Sequence, residues 1–169
     1  ESLVQEGHDE IVSVHMTSKG SGAYQAALVA QSMINEKDPA VHVEVIDTRN
    51  VSLCQGWMAI EAARAALAGL HLEEVVAKVR QMIPVTHMIQ TADTLKYLYM
   101  GGRIGKATNL LGSLLNLKPV IGMDDGEIVP LGVARGRRKA YQAIADRVEE
   151  SLGKGKARIA QVYLREARY

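Results

Sequence analysis

The sequence predicts an α/β fold: a parallel βαβ portion of Rossmann-like kind, then a mixed α/β portion with antiparallel strands, and a ligand cleft between the two. Three observations carry this expectation. Strand-like runs at Asp9–Met16 and Val41–Asp47 flank a segment of helical period, and such a crossover implies parallel pairing. Pro84 closes a long helical stretch, after which the pattern shortens. Asp125-Gly126 then stands between two apolar runs, the strongest short signal of an antiparallel hairpin. Residues 1–84 are expected to be the remainder of an N-terminal parallel α/β domain, and 85–169 part of a C-terminal mixed α/β domain.

Taken in order, "DEIVSVHM" is β-branched and short, as a strand requires. The next helical period begins near Ser21, with Tyr24, Ala27, Leu28 and Gln31 at helix spacing. "VHVEVID" follows the breaker Asp38-Pro39 as a second strand. Ser52 to Gly69 reads as a helix stopped by its glycine. "LEEVVAKVRQMI" places Leu72, Val75, Val76, Val79 and Ile83 on one face, the clearest helical stripe in the chain. Beyond Pro84, "VTHMIQT" is expected as a strand, and "ADTLKYLYM" and "KATNLLGSLL" as two short helices around Gly101-Gly102. "LKPVIGM" begins a further strand. "RRKAYQAIADRVEESL" carries Tyr141, Ile144, Val148 and Leu152 on one helix face, and "ARIAQVYL" is expected to close with a strand.

Composition narrows the function classes. Of 169 residues, 47% are hydrophobic and 23% charged, the balance of an ordinary globular chain. Twenty basic against nineteen acidic side chains leave a net charge of +1, which supplies no general field for nucleic acid or an anionic membrane. One cysteine, Cys54, excludes an internal disulfide and a cysteine-based metal site, and suits a reducing cytosol. No apolar run reaches the ~20 residues of a membrane span and no signal peptide is evident, so a cytoplasmic location is expected. The chain starts without methionine and is expected to be a piece of something longer. Phenylalanine is absent, so the interior must be aliphatic, a lining that suits a core and an alkyl chain alike.

The most singular stretch is "TSKGSGAY", where Ser21 stands between Gly20 and Gly22 at a strand-to-helix junction. A helix start presents unpaired N–H groups and partial positive charge, glycines remove obstructing side chains, and a serine hydroxyl adds a donor. That is a cradle for a carboxylate or phosphate. The same residues also suit a plain N-cap and a tight turn. The dinucleotide fingerprint fails at Gln25, and the G-x-S-x-G nucleophile elbow fails at Lys19 and Ala23. In "YLYMGGRIGKAT", Ala107 and Met100 break the phosphate-loop pattern, while Arg103 stands on a glycine turn. Arg135, Arg137, Arg138 and Lys139 cluster just before a helix, where the dipole disfavours them. The five histidines show no metal-ligand spacing, and no nucleic-acid motif is present. No metal, cofactor or nucleic-acid partner is expected.

The motif series resembles the DegV family of bacterial fatty-acid-binding proteins. The matching residues are Thr17-Ser18, Ser21-Gly22, Tyr24, Ile46-Asp47-Thr48, Thr94-Leu95, Tyr97-Leu98, Gly101-Gly102-Arg103-Ile104, Leu114-Leu115, Lys118-Pro119, Asp125-Gly126, Ile128, Arg135, Arg137 and Lys139-Ala140. They run through nearly the whole chain. The T-L-x-Y-L-x-x-G-G-R-I stretch is the most specific of them. The chain departs from the pattern at Ala23, where the family has threonine. It also lacks an upstream strand and Thr-Ser element, and a C-terminal segment with a head-group histidine.

The resemblance implies two α/β domains with one fatty acid between them, its tail in a buried apolar tunnel and its carboxylate held near Ser21, with Gly22 and Ser18 beside it. It implies a binding subunit and not an enzyme: the lipid is presented to a separate ATP-dependent kinase that makes acyl phosphate for phospholipid synthesis. Arg103 and Arg135 fall on arginines associated with the kinase interface and head-group region, and no stable membrane insertion is implied. Two other readings stay open on the residues alone. One is a small-molecule enzyme using the Ser21 helix start as an anion site, and the other a protein-interaction module built on Arg135–Lys139.

Overall fold

A computed structural model describes residues 2–112 and 117–162. The elements in chain order are α1 (Ser2–Gln5), β1 (Glu10–His15), α2 (Ala23–Lys37), β2 (His42–Asp47), α3 (Ser52–Leu67), α4 (Leu72–Met82), a 3-10 turn at Ile83–Val85, β3 (Ile89–Thr91), α5 (Lys96–Met100), a second 3-10 turn at Gly105–Leu110, β4 (Leu117–Asp124), β5 (Glu127–Arg135) and α6 (Gly136–Leu152). They form a two-stranded parallel sheet, β1-β2, and a three-stranded antiparallel sheet, β3-β4-β5. The mixed α/β class expected from the sequence is what is seen.

β1 and β2 pair in register from Glu10 opposite His42 to His15 opposite Asp47, so both strands end together at the same edge. The valine stripe of α4 explains why this sheet is covered. Leu72, Val75, Val76 and Val79 are buried with Ile46, Met58, Ala62 and Ala65, and Val12 and Val14 of β1 pack against them. Burying an aliphatic side chain of this size is worth about 1.5–3 kcal/mol, so this cluster is the main anchor of the parallel portion. Glu74 reaches back to accept the His71 backbone N–H at 2.9 Å, satisfying one donor at the start of α4. α2 differs: none of its side chains is buried, and Val29 and Met33 are 61% and 65% exposed. It is tied to the sheet by Gln31 Nε2, which donates to the Val43 carbonyl.

The second portion has its own apolar cluster of Leu95, Ile104, Ala107 and Ile121. The expected hairpin is present, with Asp124 opposite Glu127 and the turn at Asp125 (φ 45°) and Gly126 (φ 80°). Two positive φ angles are what a type I′ turn needs to follow the twist of its strands.

The structure corrects several expected boundaries. The strand expected over Val85–Thr91 is confined to Ile89–Thr91. Pro84 sits in a 3-10 turn, Thr86 Oγ1 donates to the Met82 carbonyl at 2.7 Å, and Asn50 Nδ2 donates to the Thr86 carbonyl at 3.1 Å, which hold this segment off the sheet. "ADTLKYLYM" is helical only over Lys96–Met100, because Asp93 upstream is drawn to Lys118 (2.8 Å) and Arg137 (2.6 Å). "KATNLLGSLL" begins as a 3-10 turn, and Leu114-Leu115 lie outside the described residues. No strand forms over 157–162; these residues are exposed and Arg158 pairs with Glu61, a side-chain tether in place of a ladder. The rest of that expected strand lies outside the described residues.

Candidate ligand site at the carboxyl ends of the parallel strands

β1 ends at His15, and the chain turns at once. The Thr17 carbonyl accepts from both Gly20 N (3.1 Å) and Ser21 N (3.2 Å), which folds Thr17–Ser21 into a tight loop before the helix. This local turn delays α2: its N-cap is Gly22 and not Ser21. Ser21 stands one residue earlier, and its hydroxyl oxygen accepts from Ala23 N at 3.2 Å. Used as an acceptor there, the hydroxyl keeps its own proton to donate to an anion. Gly22 has nothing within 4 Å of a notional Cβ, so the approach to the turn is open on that side. Ser18 belongs to the same loop, and its N–H donates to Asp47 Oδ2 at 3.2 Å, at the end of β2.

Arg103 joins this loop from the other portion of the chain. Gly101 and Gly102 close α5: Gly102 N donates to the Tyr99 carbonyl (2.9 Å) and Arg103 N to the Leu98 carbonyl (2.8 Å), with Gly102 at φ 70°. This is a Schellman closure, and Gly102 is there because the left-handed position admits little else. Gly105 keeps the following turn flush with β5, since a Cβ there would lie 2.6 Å from the Ile128 carbonyl oxygen. The guanidinium so placed donates from Nε to the Gly20 carbonyl at 3.1 Å and from Nη1 to the Gly101 carbonyl at 2.7 Å. Ser18, Ser21, Gly22 and Arg103 are thus brought together. Arg135 is not: it pairs opposite Leu117, at the far end of β5 from the hairpin tip, roughly 27 Å along the strand. In its cluster, Arg137 is engaged with Asp93.

The hairpin tip docks on the same loop. Thr17 Oγ1 donates to the Gly126 carbonyl at 2.7 Å, in a buried contact. Asp125 takes Lys19 at 3.0 Å and Arg49 at 2.7 Å, and Glu127 takes Lys106 at 3.4 Å. The Lys19 hydrogen bond, then the Lys19 and Arg49 charges, hold the Asp125 carboxyl below the usual carboxylate range; the Asp125 hydrogen bond likewise raises Lys19 above its ordinary value. These pairs are exposed and screened by solvent. Beside the tip an open cleft of about 750 Å³ is walled by Tyr24, Asp47, Asn50, Arg80, Pro84 and Met123, within the ~300–1,000 Å³ range of small-molecule pockets. Ser18 N–H bonds Asp47, one of the walls, but Ser18, Ser21, Gly22 and Arg103 are not themselves wall residues of this cleft.

Three site features were not foreseen from the sequence: the Thr17 hydroxyl contact, the Asp125 bridge between Lys19 and Arg49, and buried Asn50. Each joins residues far apart in the chain, and no local pattern marks them. His15, the histidine nearest Ser21 in sequence, is hydrogen-bonded to Ser13 at 2.7 Å on its own strand. Among the described residues no cluster of three or more His, Cys, Asp or Glu could hold a metal, and no helix is long and apolar enough to cross a membrane.

A turn rich in N–H groups and hydroxyls at the carboxyl edge of parallel strands is where α/β proteins receive ligands. The chain belongs to the DegV family: the family model described as "Uncharacterised protein, DegV family" matches residues 1–168. A DegV domain-containing protein of Caldanaerobacter subterraneus subsp. tengcongensis is 38% identical over 138 residues, covering 82% of this chain and 48% of the relative. One from Clostridium acetobutylicum is 34% identical over 154 residues, covering 91% and 54%. Among solved structures, a stearic-acid-binding protein from Eubacterium ventriosum superposes with a TM-score of 0.82 at 31% identity, covering 90% of this chain and 52% of that one. A fatty-acid-binding DegV family protein from Thermus thermophilus gives 0.79 at 33% identity, covering 90% and 52%. The chain spans about half the length of these relatives.

Proposed function

We propose that this chain is part of a cytoplasmic carrier that binds one long-chain fatty acid, its carboxylate at the Ser21 turn with Ser18 and Gly22 beside it, and its tail in an apolar tunnel. The carrier performs no chemistry itself. It presents the lipid to a separate ATP-dependent kinase, which forms the acyl phosphate used in phospholipid synthesis, and Arg103 and Arg135 serve that partner or the head group. The observation that supports this reading is the close likeness in fold to solved relatives described as fatty-acid-binding, combined with a hydroxyl-and-amide turn at the strand edge.

The energetics suit such a division. A hydrogen bond to a charged carboxylate contributes about 1.5–3 kcal/mol, whereas each buried methylene adds ~0.8 kcal/mol, so over a long chain the tail sets affinity and Ser21 sets direction. The test is native mass spectrometry of the whole natural gene product that carries this chain. A co-purified acyl mass, weakened in Ser21→Ala, is expected. Protein that is lipid-free and also refuses added fatty acid overturns the proposal.

A further inference from the structure

Thr17 uses every hydrogen-bonding atom it has. Its N–H donates to the Asn50 carbonyl at 2.9 Å, fastening the end of β1 to the loop after β2. Its carbonyl accepts both N–H groups that shape the Ser21 turn. Its hydroxyl donates to Gly126 of the hairpin tip and accepts from Lys19 N at 3.3 Å. The residue is 3% exposed, and its methyl Cγ2 lies 3.1 Å from where a Cβ on Gly20 would stand. The fit on the hairpin side is equally close, since a Cβ on Gly126 would fall 2.5 Å from the Thr17 hydroxyl. One side chain therefore meets the hairpin tip while its own backbone carbonyl shapes the turn that carries Ser21. A displacement of the tip must move that hydroxyl, and with it the carbonyl that holds Gly20 and Ser21.

We propose that Thr17 is a positioning residue of the ligand site, coupling the Ser21 turn to the Asp125-Gly126 hairpin tip so that a ligand held at the turn and a docked hairpin favour one another. The inference rests on the fatty-acid reading for the nature of the ligand, and on geometry alone for the coupling. Linkage makes the effect reciprocal: whatever the docked tip adds to ligand affinity, the ligand returns as stability of the docked tip. Valine is nearly the shape of threonine but strands the Gly126 carbonyl and Lys19 N–H. Serine keeps the hydroxyl and loses only the methyl.

The experiment compares wild type, Thr17→Val and Thr17→Ser in the whole gene product, with stearate as the probe. Thr17→Val is expected to bind stearate about tenfold more weakly, the scale of one hydrogen bond, and Thr17→Ser to recover most of the loss. In wild type, stearate should slow amide hydrogen exchange at residues 125–127, and in Thr17→Val it should not. Without any lipid, Thr17→Val should speed exchange at 20–23 and 125–127 together. Equal stearate binding by Thr17→Val, or no recovery in Thr17→Ser, overturns the positioning role. Failure of the two segments to loosen together overturns the coupling whether or not lipid binds. A wild type that takes no stearate overturns the fatty-acid reading instead.

Discussion

Replacing Gly126 by alanine attacks the hairpin dock at its tightest point. Gly126 has φ +80°, where an L-residue with a Cβ costs about 1–2 kcal/mol. The added Cβ would also stand 2.5 Å from Thr17 Oγ1, so the tip or the loop must shift and the buried 2.7 Å hydrogen bond is lost or stretched. Leaving such a buried partner unsatisfied costs about 1–3 kcal/mol. Together Gly126→Ala should destabilise the fold by about 2–5 kcal/mol. Gly102→Ala is the natural control: φ is +70° there, but nothing lies within 4 Å of the new Cβ, so only the backbone term of about 1–2 kcal/mol applies. Urea unfolding followed by circular dichroism measures both, through the midpoint shift at constant slope. If Gly126→Ala costs no more than Gly102→Ala, the tip does not press on Thr17 and the docking described here is wrong.

Three further outcomes are expected. The Asp125 carboxyl lies below its ordinary range, so the stability it contributes is in full force above the unfolded carboxylate pKa near 4 and is lost as pH falls through the lower folded value. Thermal unfolding of Asp125→Asn should show a shallower acid limb than wild type, and high salt should narrow the difference; identical limbs would remove Asp125 from the acid response. Burial pushes the half-buried Cys54 thiol up, so its alkylation at neutral pH should be slower than that of a free thiol and should accelerate only at higher pH, which mass spectrometry of iodoacetamide-treated protein can follow. On the proposed carrier reading, Arg103→Ala, which frees the Gly20 carbonyl from an exposed donor, should reduce kinase-coupled acyl phosphate formation more than stearate affinity, and a larger loss in affinity would assign Arg103 to the head group instead.

Much of the scaffold was readable from local pattern. β1, β2 and the α4 stripe follow from β-branched runs and from valines at helical spacing, and the hairpin follows from Asp125-Gly126, because each is dictated by residues adjacent in sequence. The errors fall where a distant partner intervenes. Asn50 captures Thr86 and shortens β3, and Lys118 and Arg137 capture Asp93 and shorten α5; the exception is local, the Thr17 carbonyl taking Ser21 N four residues on and delaying α2 by two residues. The site shows the same division. Ser21 and Arg103 were marked by their glycines, and the structure joins them. Thr17 carries no such mark, since its partner Gly126 lies 109 positions away.

α2 has a practical bearing on any attempt to handle this chain by itself. With Val29 and Met33 open to solvent on a helix none of whose side chains is fully buried, the isolated polypeptide has an adhesive flank. It should be retained on a hydrophobic-interaction resin and should brighten an apolar dye while still folded, so such brightening in a preparation of this chain is no sign of denaturation.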